Sequence, residues 1–144
     1  MQDAYDFSQC VLVLRHDSLG TLTVTGSGLG TCTVRMTGDR TLMDVAADGT
    51  VMTTKVRDRR GSFTLQLQQT SESNLTLLRW YNYLETAHAS EWDKITVTLT
   101  APNTGERFTG ERSAFLKLPD RSYGPRGGLE TWTLVSGDVS QEAC

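Results

Sequence analysis

The sequence contains few of the residues that build disulfide frameworks, metal centres and membrane spans. Among 144 residues there are only 3 Cys, 3 Pro and 2 His, and no two cysteines form a C-x-x-C pair. Neither a disulfide framework nor a zinc site is indicated. The longest apolar run, residues 10–14, is far shorter than the roughly 20 residues of a transmembrane helix. The N-terminus also lacks the layout of a signal peptide, so we expect a reduced, cytosolic protein without a membrane anchor.

Neither sign of charge is in strong excess. Lys and Arg total 14 against 17 Asp and Glu, which gives a formal net charge of -3. The densest basic cluster, residues 57–60, includes an acid, Asp58, and such a cluster is typical of a solvated turn. Because proteins that grip phosphate backbones are usually basic over the contact face, the composition disfavours a nucleic-acid-binding domain.

Complete catalytic motifs are also missing. His16-Asp17-Ser18 contains the residue types of a hydrolase triad, but a triad requires residues that converge in space, which neighbours in sequence rarely do. The glycine-rich segment 26–30 lacks the lysine and the helix that follow a phosphate-binding loop. Four carboxylates that could pair for glycoside hydrolysis have ordinary surface spacing: Glu91, Asp93, Glu106 and Glu111. The sequence therefore predicts neither an enzyme nor a cofactor.

Threonine is abundant, and its placement predicts β structure. The 21 threonines outnumber the leucines, valines and glycines, and a branched Cβ suits a pleated sheet. Many alternate with apolar residues, as Thr31 and Thr33 do with Cys32 and Val34. Alternation of this kind predicts antiparallel strands with one wet face. The predicted strands cover residues 9–15, 21–25, 31–36, 62–69, 95–100, 107–118 and 129–135.

One helix and one hairpin are expected between these strands. Ser71 and its polar neighbours offer N-cap oxygens, and apolar residues then recur at helical steps from Leu75 onward. Asp48-Gly49 lies between two further runs, 41–46 and 51–56, and supplies the backbone angles of a tight turn. The hairpin arms are interpreted as poor in large apolar residues. Because two isolated strands are marginally stable, we expect the hairpin to contact another subunit.

We therefore expect a mainly β fold. Its form is a two-sheet antiparallel β-sandwich or partly open barrel, with one flanking helix at about 73–88 and a protruding hairpin at about 42–60. Residues 1–144 form a single domain, which is long enough to bury one core without metal or disulfide support. Residues 138–144 are expected to be a polar, flexible tail.

The order and spacing of several segments resemble the tail tube proteins of contractile-tailed bacteriophages. The segments of the first half are Ala46-Ala47-Asp48-Gly49, Arg60-Gly61-Ser62-Phe63-Thr64-Leu65-Gln66-Leu67, and Gln69-Thr70-Ser71 with Ser73, Asn74 and Leu77. Those of the second half are Thr96-Val97-Thr98, the Thr104-Gly105 turn, Ala114-Phe115-Leu116-Lys117-Leu118-Pro119-Asp120, and Tyr123-Gly124 before Glu130-Thr131-Trp132-Thr133. The resemblance spans residues 8–137, most of the chain.

The resemblance implies a structural virion protein. Six copies would close into a ring, and rings would stack into the hollow inner tube through which DNA passes into the host. The implied partners are further copies of the chain, the tail sheath, the baseplate and the tail terminator, with a tape measure protein in the lumen during assembly. The implied location is the phage tail, assembled in the cytoplasm of the host bacterium.

Two sets of site residues follow from this resemblance. Intersubunit and inter-ring contacts are expected from the hairpin, at Asp44, Asp48, Gly49, Lys55, Arg57, Arg59 and Arg60. The channel should be neutral to acidic, because rings of Lys and Arg would bind phosphates. The candidate lining residues are Thr31 and Thr33, Thr96 and Thr98, or Thr131 and Thr133, because periodicity gives the wet face of a strand without distinguishing the lumen from the exterior. Arg35 lies on the same predicted face as Thr31 and departs from that neutrality.

Two alternatives stay open. The first is the inner tube of a type VI secretion system or another contractile injection system, which has a similar fold. The second is a carbohydrate-binding β-sandwich, which would require Trp80, Trp92 or Trp132 to be exposed on one face.

Overall fold

The computed structural model describes residues 9–25 and 29–143, and within them it contains nine strands and one α-helix. The strands are β1 Val11–His16, β2 Gly20–Val24, β3 Leu29–Met36, β4 Thr41–Val45, β5 Val51–Lys55, β6 Gly61–Gln68, β7 Ile95–Ala101, β8 Glu106–Phe115 and β9 Leu129–Ala143. The helix is α1, Glu72–Thr86, and a short 3-10 turn follows at Ala89–Glu91. Residues 26–28 of the glycine-rich segment and Cys144 lie outside the described residues.

The strands form two antiparallel sheets. Seven strands pair in the order β2-β1-β7-β8-β9-β6-β3, and β4 pairs with β5. Every pair is antiparallel. In β6 the apolar residues alternate as predicted, because Phe63, Leu65 and Leu67 are fully buried whereas the residues between them are not. The predicted mainly β fold with one helix is confirmed.

The long strands β8 and β9 bend the large sheet into two layers. In β9 the buried residues are the even-numbered Glu130, Trp132, Leu134 and Ser136 at first and the odd-numbered Val139 afterwards, so the side of the strand that faces the core changes. In β8 an extra residue lies opposite β7, since Ile95 pairs with Ser113 but Val97 with Gly110. Such a bulge bends a strand and lets it pass from one layer to the other. The bend also includes Arg112, which has a positive φ of 54°.

We name one layer after the β4–β5 hairpin, which connects its strands β3 and β6, and the other after the N-terminal strand β1, which it contains. The hairpin layer contains β3, β6, residues 129–136 of β9 and residues 113–115 of β8. The N-terminal layer contains β1, β2, β7, residues 106–110 of β8 and residues 138–143 of β9. One core cluster joins both layers, including Leu12, Leu14, Val97, Leu99, Phe63, Leu65, Trp132 and Leu134.

Two buried serines, Ser113 and Ser136, form hydrogen bonds at the bend. The hydroxyl oxygens of Ser113 and Ser136 lie 2.6 Å apart, and Ser113 Oγ donates to the carbonyl of Gly110 at 3.1 Å. Gly110 itself faces the Phe63 ring so closely that an added Cβ would overlap it. The two layers therefore approach each other across Gly110, where only glycine fits.

Helix α1 covers the core beside β9. Ser71 is the N-cap, and its side chain accepts a hydrogen bond from the Ser73 amide at 3.2 Å. Leu77, Trp80 and Leu84 are buried, whereas Leu75 is 50% exposed. The predicted helix is confirmed, but the stripe that contacts the core starts at Asn74 and Leu77 rather than at Leu75.

The expected C-terminal tail is wrong for the residues that the structure describes. Residues 138–143 are the second half of β9, where Asp138 pairs with Glu111 and Glu142 with Arg107. Val139 is buried. Polar composition suggested a tail, but backbone pairing along β8 determines the conformation, because an uncovered strand would leave backbone groups without partners.

Candidate functional site

The hairpin of β4 and β5 is the most exposed element of the described structure. All ten residues of its two strands are exposed. Its tip is a tight turn in which Ala46 donates to the Thr50 carbonyl at 2.8 Å and Gly49 adopts a φ of 88°. The Thr50 amide donates to Asp48 Oδ1 at 3.0 Å, and hydrogen bonds from Thr50 lower the pKa of the Asp48 carboxyl. Asp48 and Gly49 therefore shape the turn itself.

Both faces of this hairpin carry large apolar side chains. The register places Val45 opposite Val51 and Met43 opposite Thr53 on one face, while Asp44 lies opposite Met52 on the other. The exposed large apolar residues are Leu42 at 51%, Met43 at 66%, Val45 at 69%, Val51 at 55% and Met52 at 60%. The interpretation of the arms as poor in large apolar residues is therefore wrong. A clustered apolar surface of this kind marks an interaction site.

Two of the predicted arginines form contacts within the subunit at the base of the hairpin. Arg59 Nε lies 2.9 Å from Asp138 Oδ1, and the Arg59 carbonyl accepts from the Val139 amide at 2.8 Å. The Arg60 side chain donates two hydrogen bonds of 2.9 Å each to the Asp58 carboxylate. These hydrogen bonds lower the pKa of Asp58 to about 2. Arg59 thus connects the hairpin base to β9, whereas Arg60 stabilises the local turn that contains Asp58.

The remaining charged residues of the predicted set are available at the surface. Asp44, Lys55 and Arg57 are exposed, and none of them forms an ion pair with any residue in the described ranges 9–25 and 29–143. They could therefore pair with another molecule without first breaking a contact within the subunit.

The six predicted channel threonines fall on two different outer faces. On the hairpin layer, cross-strand rows join Thr31 to Gln66 and Thr131, and Thr33 to Thr64 and Thr133. The Thr31 hydroxyl donates to Gln66 Oε1 at 3.1 Å. On the N-terminal layer, Thr96 lies beside Arg15 and Thr98 beside Val13. Thr31, Thr33, Thr131 and Thr133 therefore share one outer face, and the alternative pair Thr96 and Thr98 lies on the other.

The two outer faces differ in charge. Across the strands, the neighbours of the hairpin-layer threonines are hydroxyls and amides, and Arg35 pairs with Ser62 next to the hairpin. The exposed, oppositely charged Lys117 and Asp120 lie beside Thr131 and Thr133. The N-terminal layer presents Arg15 and an Arg107–Glu142 cross-strand pair, all exposed. The uncharged stretch of surface is the part of the hairpin layer around Thr31, Thr33, Thr64 and Gln66.

A second apolar surface, missed in the sequence, surrounds the connection from β8 to β9. Its exposed large residues are Leu116 at 56%, Leu118 at 40%, Tyr123 at 83%, Leu129 at 52% and Val135 at 39%. A groove of about 260 Å³ separates residues 117–120 from Leu129, Thr131 and Thr133 of β9. The alternation of Leu116 with Lys117 and Leu118 was the available signal, but it resembled an ordinary continuation of β8.

The side chain of Gln69 fixes this connection in place. Gln69 Nε2 donates to the Ser122 carbonyl at 2.7 Å, and Gln69 Oε1 accepts from the Gly128 amide at 2.9 Å. Gln69 Nε2 also lies 3.3 Å from Oε1 of the buried Glu130. The hydrogen bonds of the half-buried Gln69 therefore fix the connection to the end of β6 and the start of β9.

The residues considered for catalysis have structural partners. His16 is buried, its Nδ1 accepts from the Ser18 amide at 3.1 Å, and its Nε2 donates to the Glu91 carbonyl at 3.0 Å. The Ser18 hydroxyl donates to Glu91 Oε1 at 2.5 Å. Ser18 and His16 therefore do not form a nucleophile and base pair. In the described part of the chain no group of three metal-ligating side chains occurs.

The tryptophans do not form an exposed platform. Trp132 is fully buried, Trp80 is 5% exposed, and the half-buried Trp92 packs edge-on against Tyr81 with ring centroids 6.0 Å apart. The carbohydrate-binding alternative required an exposed face of these rings, so the structure removes its basis.

Comparison with known proteins identifies the family. The family model of the bacteriophage PhiTE tail tube protein matches residues 3–143. The chain belongs to this tail tube family. Tail tube proteins of this family are structural proteins rather than enzymes. No curated protein matches the tail tube chain in sequence, and among its described residues no helix is long and apolar enough to cross a membrane.

Solved structures share the fold of this tail tube protein. A chain of the PVC sheath-tube complex, an extracellular contractile injection system in the extended state, superposes with a TM-score of 0.66 at 10% identity, covering 100% of this chain and 95% of that one. A chain of the anti-feeding prophage baseplate gives 0.63 at 10% identity, with 99% and 98% covered. A chain of the anti-feeding prophage tube terminating cap gives 0.60 at 10% identity, with 100% and 94% covered.

Proposed function

We propose that this protein assembles into hexameric rings that stack into the inner tube of a contractile phage tail, the conduit for DNA. The observation that carries the proposal is the hairpin, whose two strands are wholly exposed and whose two faces both carry large apolar residues. A hairpin of two strands is marginal by itself. Its apolar faces would be covered by neighbouring subunits, including one in the next ring.

Ring closure uses the two open edges of the large sheet. Within the described residues, β2 and β3 are its terminal strands, and each pairs on one side only. An unpaired edge is a template for another strand. Head-to-tail contact between different edges closes into a ring when the rotation between subunits allows it, and the tail tube family leads us to expect six copies.

The channel wall in this proposal is the outer face of the hairpin layer. Thr31, Thr33, Thr131 and Thr133 lie there with uncharged cross-strand neighbours, and Lys117 and Asp120, which are opposite in charge, border the last two. Uncharged hydroxyls give DNA phosphates no fixed cation to bind. Thr96 and Thr98 lie on the charged opposite layer, which we assign to the exterior. DNA would then pass without being retained.

The proposed partners follow from the assembly. Solved chains with this fold come from a sheath-tube complex, a baseplate and a terminating cap, which supports a sheath, a baseplate and a tail terminator as partners here. A tape measure protein would occupy the lumen during assembly in the host cytoplasm, and the mature protein would reside in the virion tail.

Electron microscopy of the purified full-length protein tests the proposal. We expect rings with sixfold symmetry, or tubes built from them, together with a size-exclusion mass of several times the 15.9 kDa subunit. A monodisperse monomer at every concentration and salt would contradict it. Labelling of phage particles with an antibody against the protein distinguishes a virion tube from the tube of a secretion or injection system.

A further inference from the structure

We propose that the buried His16 is an acid-sensitive switch, at which protonation of the imidazole releases the β1–β2 turn and one end of the edge strand β2. The switch is defined by His16, Ser18, Tyr83 and Glu91, which belong to β1, the β1–β2 turn, α1 and the 3-10 turn. Its chemistry takes place within one subunit. Its effect on assembly rests on the ring closure proposed above, because β2 is one of the two edges that the closure uses.

The hydrogen bonds of His16 specify one neutral tautomer. The Ser18 amide can only donate, so His16 Nδ1 accepts from it at 3.1 Å and carries no proton. The Glu91 carbonyl can only accept, so His16 Nε2 carries the proton and donates to it at 3.0 Å. Both ring nitrogens are therefore committed, and the residue is only 2% exposed.

A second proton on this imidazole is incompatible with the contacts around it. A protonated Nδ1 would be a donor that faces the donor N–H of Ser18. The resulting cation would also be buried, which is costly without a hydrogen-bonded anion. The ring must then leave its site, and its hydrogen bonds to the turn and to the Glu91 carbonyl break together.

The nearby carboxylates have other partners. The Glu91 carboxylate accepts from the Ser18 hydroxyl at 2.5 Å and from the Tyr83 hydroxyl at 3.3 Å, and Asp93 pairs with Arg112 at 3.3 Å. Within the described ranges, no carboxylate oxygen forms a hydrogen bond or an ion pair with the His16 ring. The other charged or titratable side chains near the switch are exposed: Arg15, Asp17, Arg79, Glu85, His88 and Lys94.

The switch lies where β2 begins. Among the described strands β2 pairs with β1 alone, and its first residue, Gly20, pairs with His16. Beyond the other end of β2, Thr25 lines a cleft together with residues 70–73 at the start of α1. Near the end of α1, Ser18 and Tyr83 share the Glu91 carboxylate. Strand β2 thus runs beside α1, and the switch secures the end at which the strand starts.

Hydrogen exchange of the full-length protein tests the switch, because the chain has only two histidines and the second is a matched control. His88 Nδ1 also accepts from the amide two residues on, that of Ser90 at 3.1 Å, but His88 is exposed. The readout is the protection factor of residues 16–22, which is corrected for the intrinsic pH dependence of exchange.

The expected result separates the two histidines. Between about pH 8 and pH 5, where histidine titrates, these protection factors should fall about tenfold in the wild type, as for the loss of a buried hydrogen bond. They should fall equally in His88→Gln. They should stay constant in His16→Gln, whose uncharged amide keeps a donor for the Glu91 carbonyl. Constant protection in the wild type, or an equal fall in His16→Gln, would overturn the switch.

Nitrogen NMR of the wild-type imidazole gives an answer even if His16→Gln does not fold. We expect the Nε2–H tautomer of His16 at pH 8, and protonation of the ring over the same pH interval in which protection falls. A ring that stays neutral while protection falls, or that carries its proton on Nδ1 at pH 8, would overturn the switch.

Assembly provides a separate readout. Rings or tubes formed at pH 8 and moved to pH 5 should dissociate in the wild type and in His88→Gln, but persist in His16→Gln when followed by analytical sedimentation. Equal dissociation of all three would overturn the effect on ring closure and leave the tube function intact. A wild type that forms no rings at any pH would overturn the proposed function, whereas the protection factors of the subunit would still decide whether the switch exists.

Discussion

The indole Nε1 of Trp132 donates a buried hydrogen bond of 2.8 Å to Oδ1 of Asn74. This bond joins helix α1 to β9 at the point where the Trp132 ring meets Phe115, with ring centroids 5.6 Å apart. Phe115 in turn contacts Tyr81 of the helix at 5.8 Å. One polar contact and an aromatic chain therefore position the helix on the hairpin layer.

Asn74→Ala should destabilise the subunit. The substitution leaves a buried indole N–H without an acceptor, which costs about 1–3 kcal/mol. Denaturant unfolding of the variant should show this decrease in the free energy of unfolding. Asn82→Ala, exposed on the same helix, is the control and should change the value by less than about 0.5 kcal/mol. Equal stability of the two variants would show that the hydrogen bond contributes nothing.

Gly110→Ala should also destabilise the fold, by overpacking. The new methyl group would overlap the Phe63 ring and lie 2.6 Å from Ser136 Oγ, and forced repacking of this kind costs about 1–3 kcal/mol. Thermal unfolding should report a lower melting temperature. At Gly124 an added Cβ meets nothing within 4 Å, so Gly124→Ala should be neutral. A wild-type melting temperature for Gly110→Ala would contradict the close approach of the two layers.

Replacing the apolar pair at the hairpin tip should separate folding from assembly. Val45 and Val51 face each other across the hairpin and are 69% and 55% exposed. The double variant Val45→Ser, Val51→Ser should keep the subunit stability within about 0.5 kcal/mol but abolish tubes under the electron microscope. Leu75→Ser, on the exposed side of α1, should leave tubes intact. Normal tubes from the double variant would exclude the hairpin from the assembly.

Lowering the pH should weaken the hydrogen bonds between Asp58 and Arg60 at the base of the hairpin. Hydrogen bonds from Arg60 lower the pKa of Asp58 from its usual value of 3.8 to about 2. A lowered native pKa means that the ionised carboxylate stabilises the fold above about pH 4, and that this contribution disappears as the pH falls towards 2. The melting temperatures of wild type and Asp58→Asn should therefore differ at pH 5 and converge near pH 2. A difference that is constant from pH 5 to 2 would rule out this titration.

A cation on the proposed channel wall should make the tube retain DNA. Thr33→Lys adds one positive charge per subunit to the uncharged part of this face, and the resulting binding should weaken steeply with salt. The measurement is co-sedimentation of short duplex DNA with assembled tubes at increasing salt concentration. Thr98→Lys, on the opposite layer, should retain less DNA inside the tube. Stronger retention by Thr98→Lys would reverse the assignment of the two faces.

Local patterns predicted much of the fold. Alternation in 62–69 matches β6, and the polar N-cap with helical spacing matches α1, because both depend on contacts between residues close in sequence. Asp48 and Gly49 likewise formed the expected turn, since the turn requires only a positive φ and a nearby acceptor. The second half of β9 was missed because its pairing with β8 outweighs its polar composition.

The sequence by itself determined the strands, the helix, the wet faces and the resemblance to tail tube proteins. Only the tertiary structure decided which wet face each threonine occupies, since the bend at Gly110 and Ser113 sends Thr33 and Thr98 to opposite sides. It also decided that Arg59 pairs with Asp138 within the subunit and that the apolar hairpin stays uncovered. Periodicity reports which side of a strand is apolar, but long-range pairing decides what that side faces.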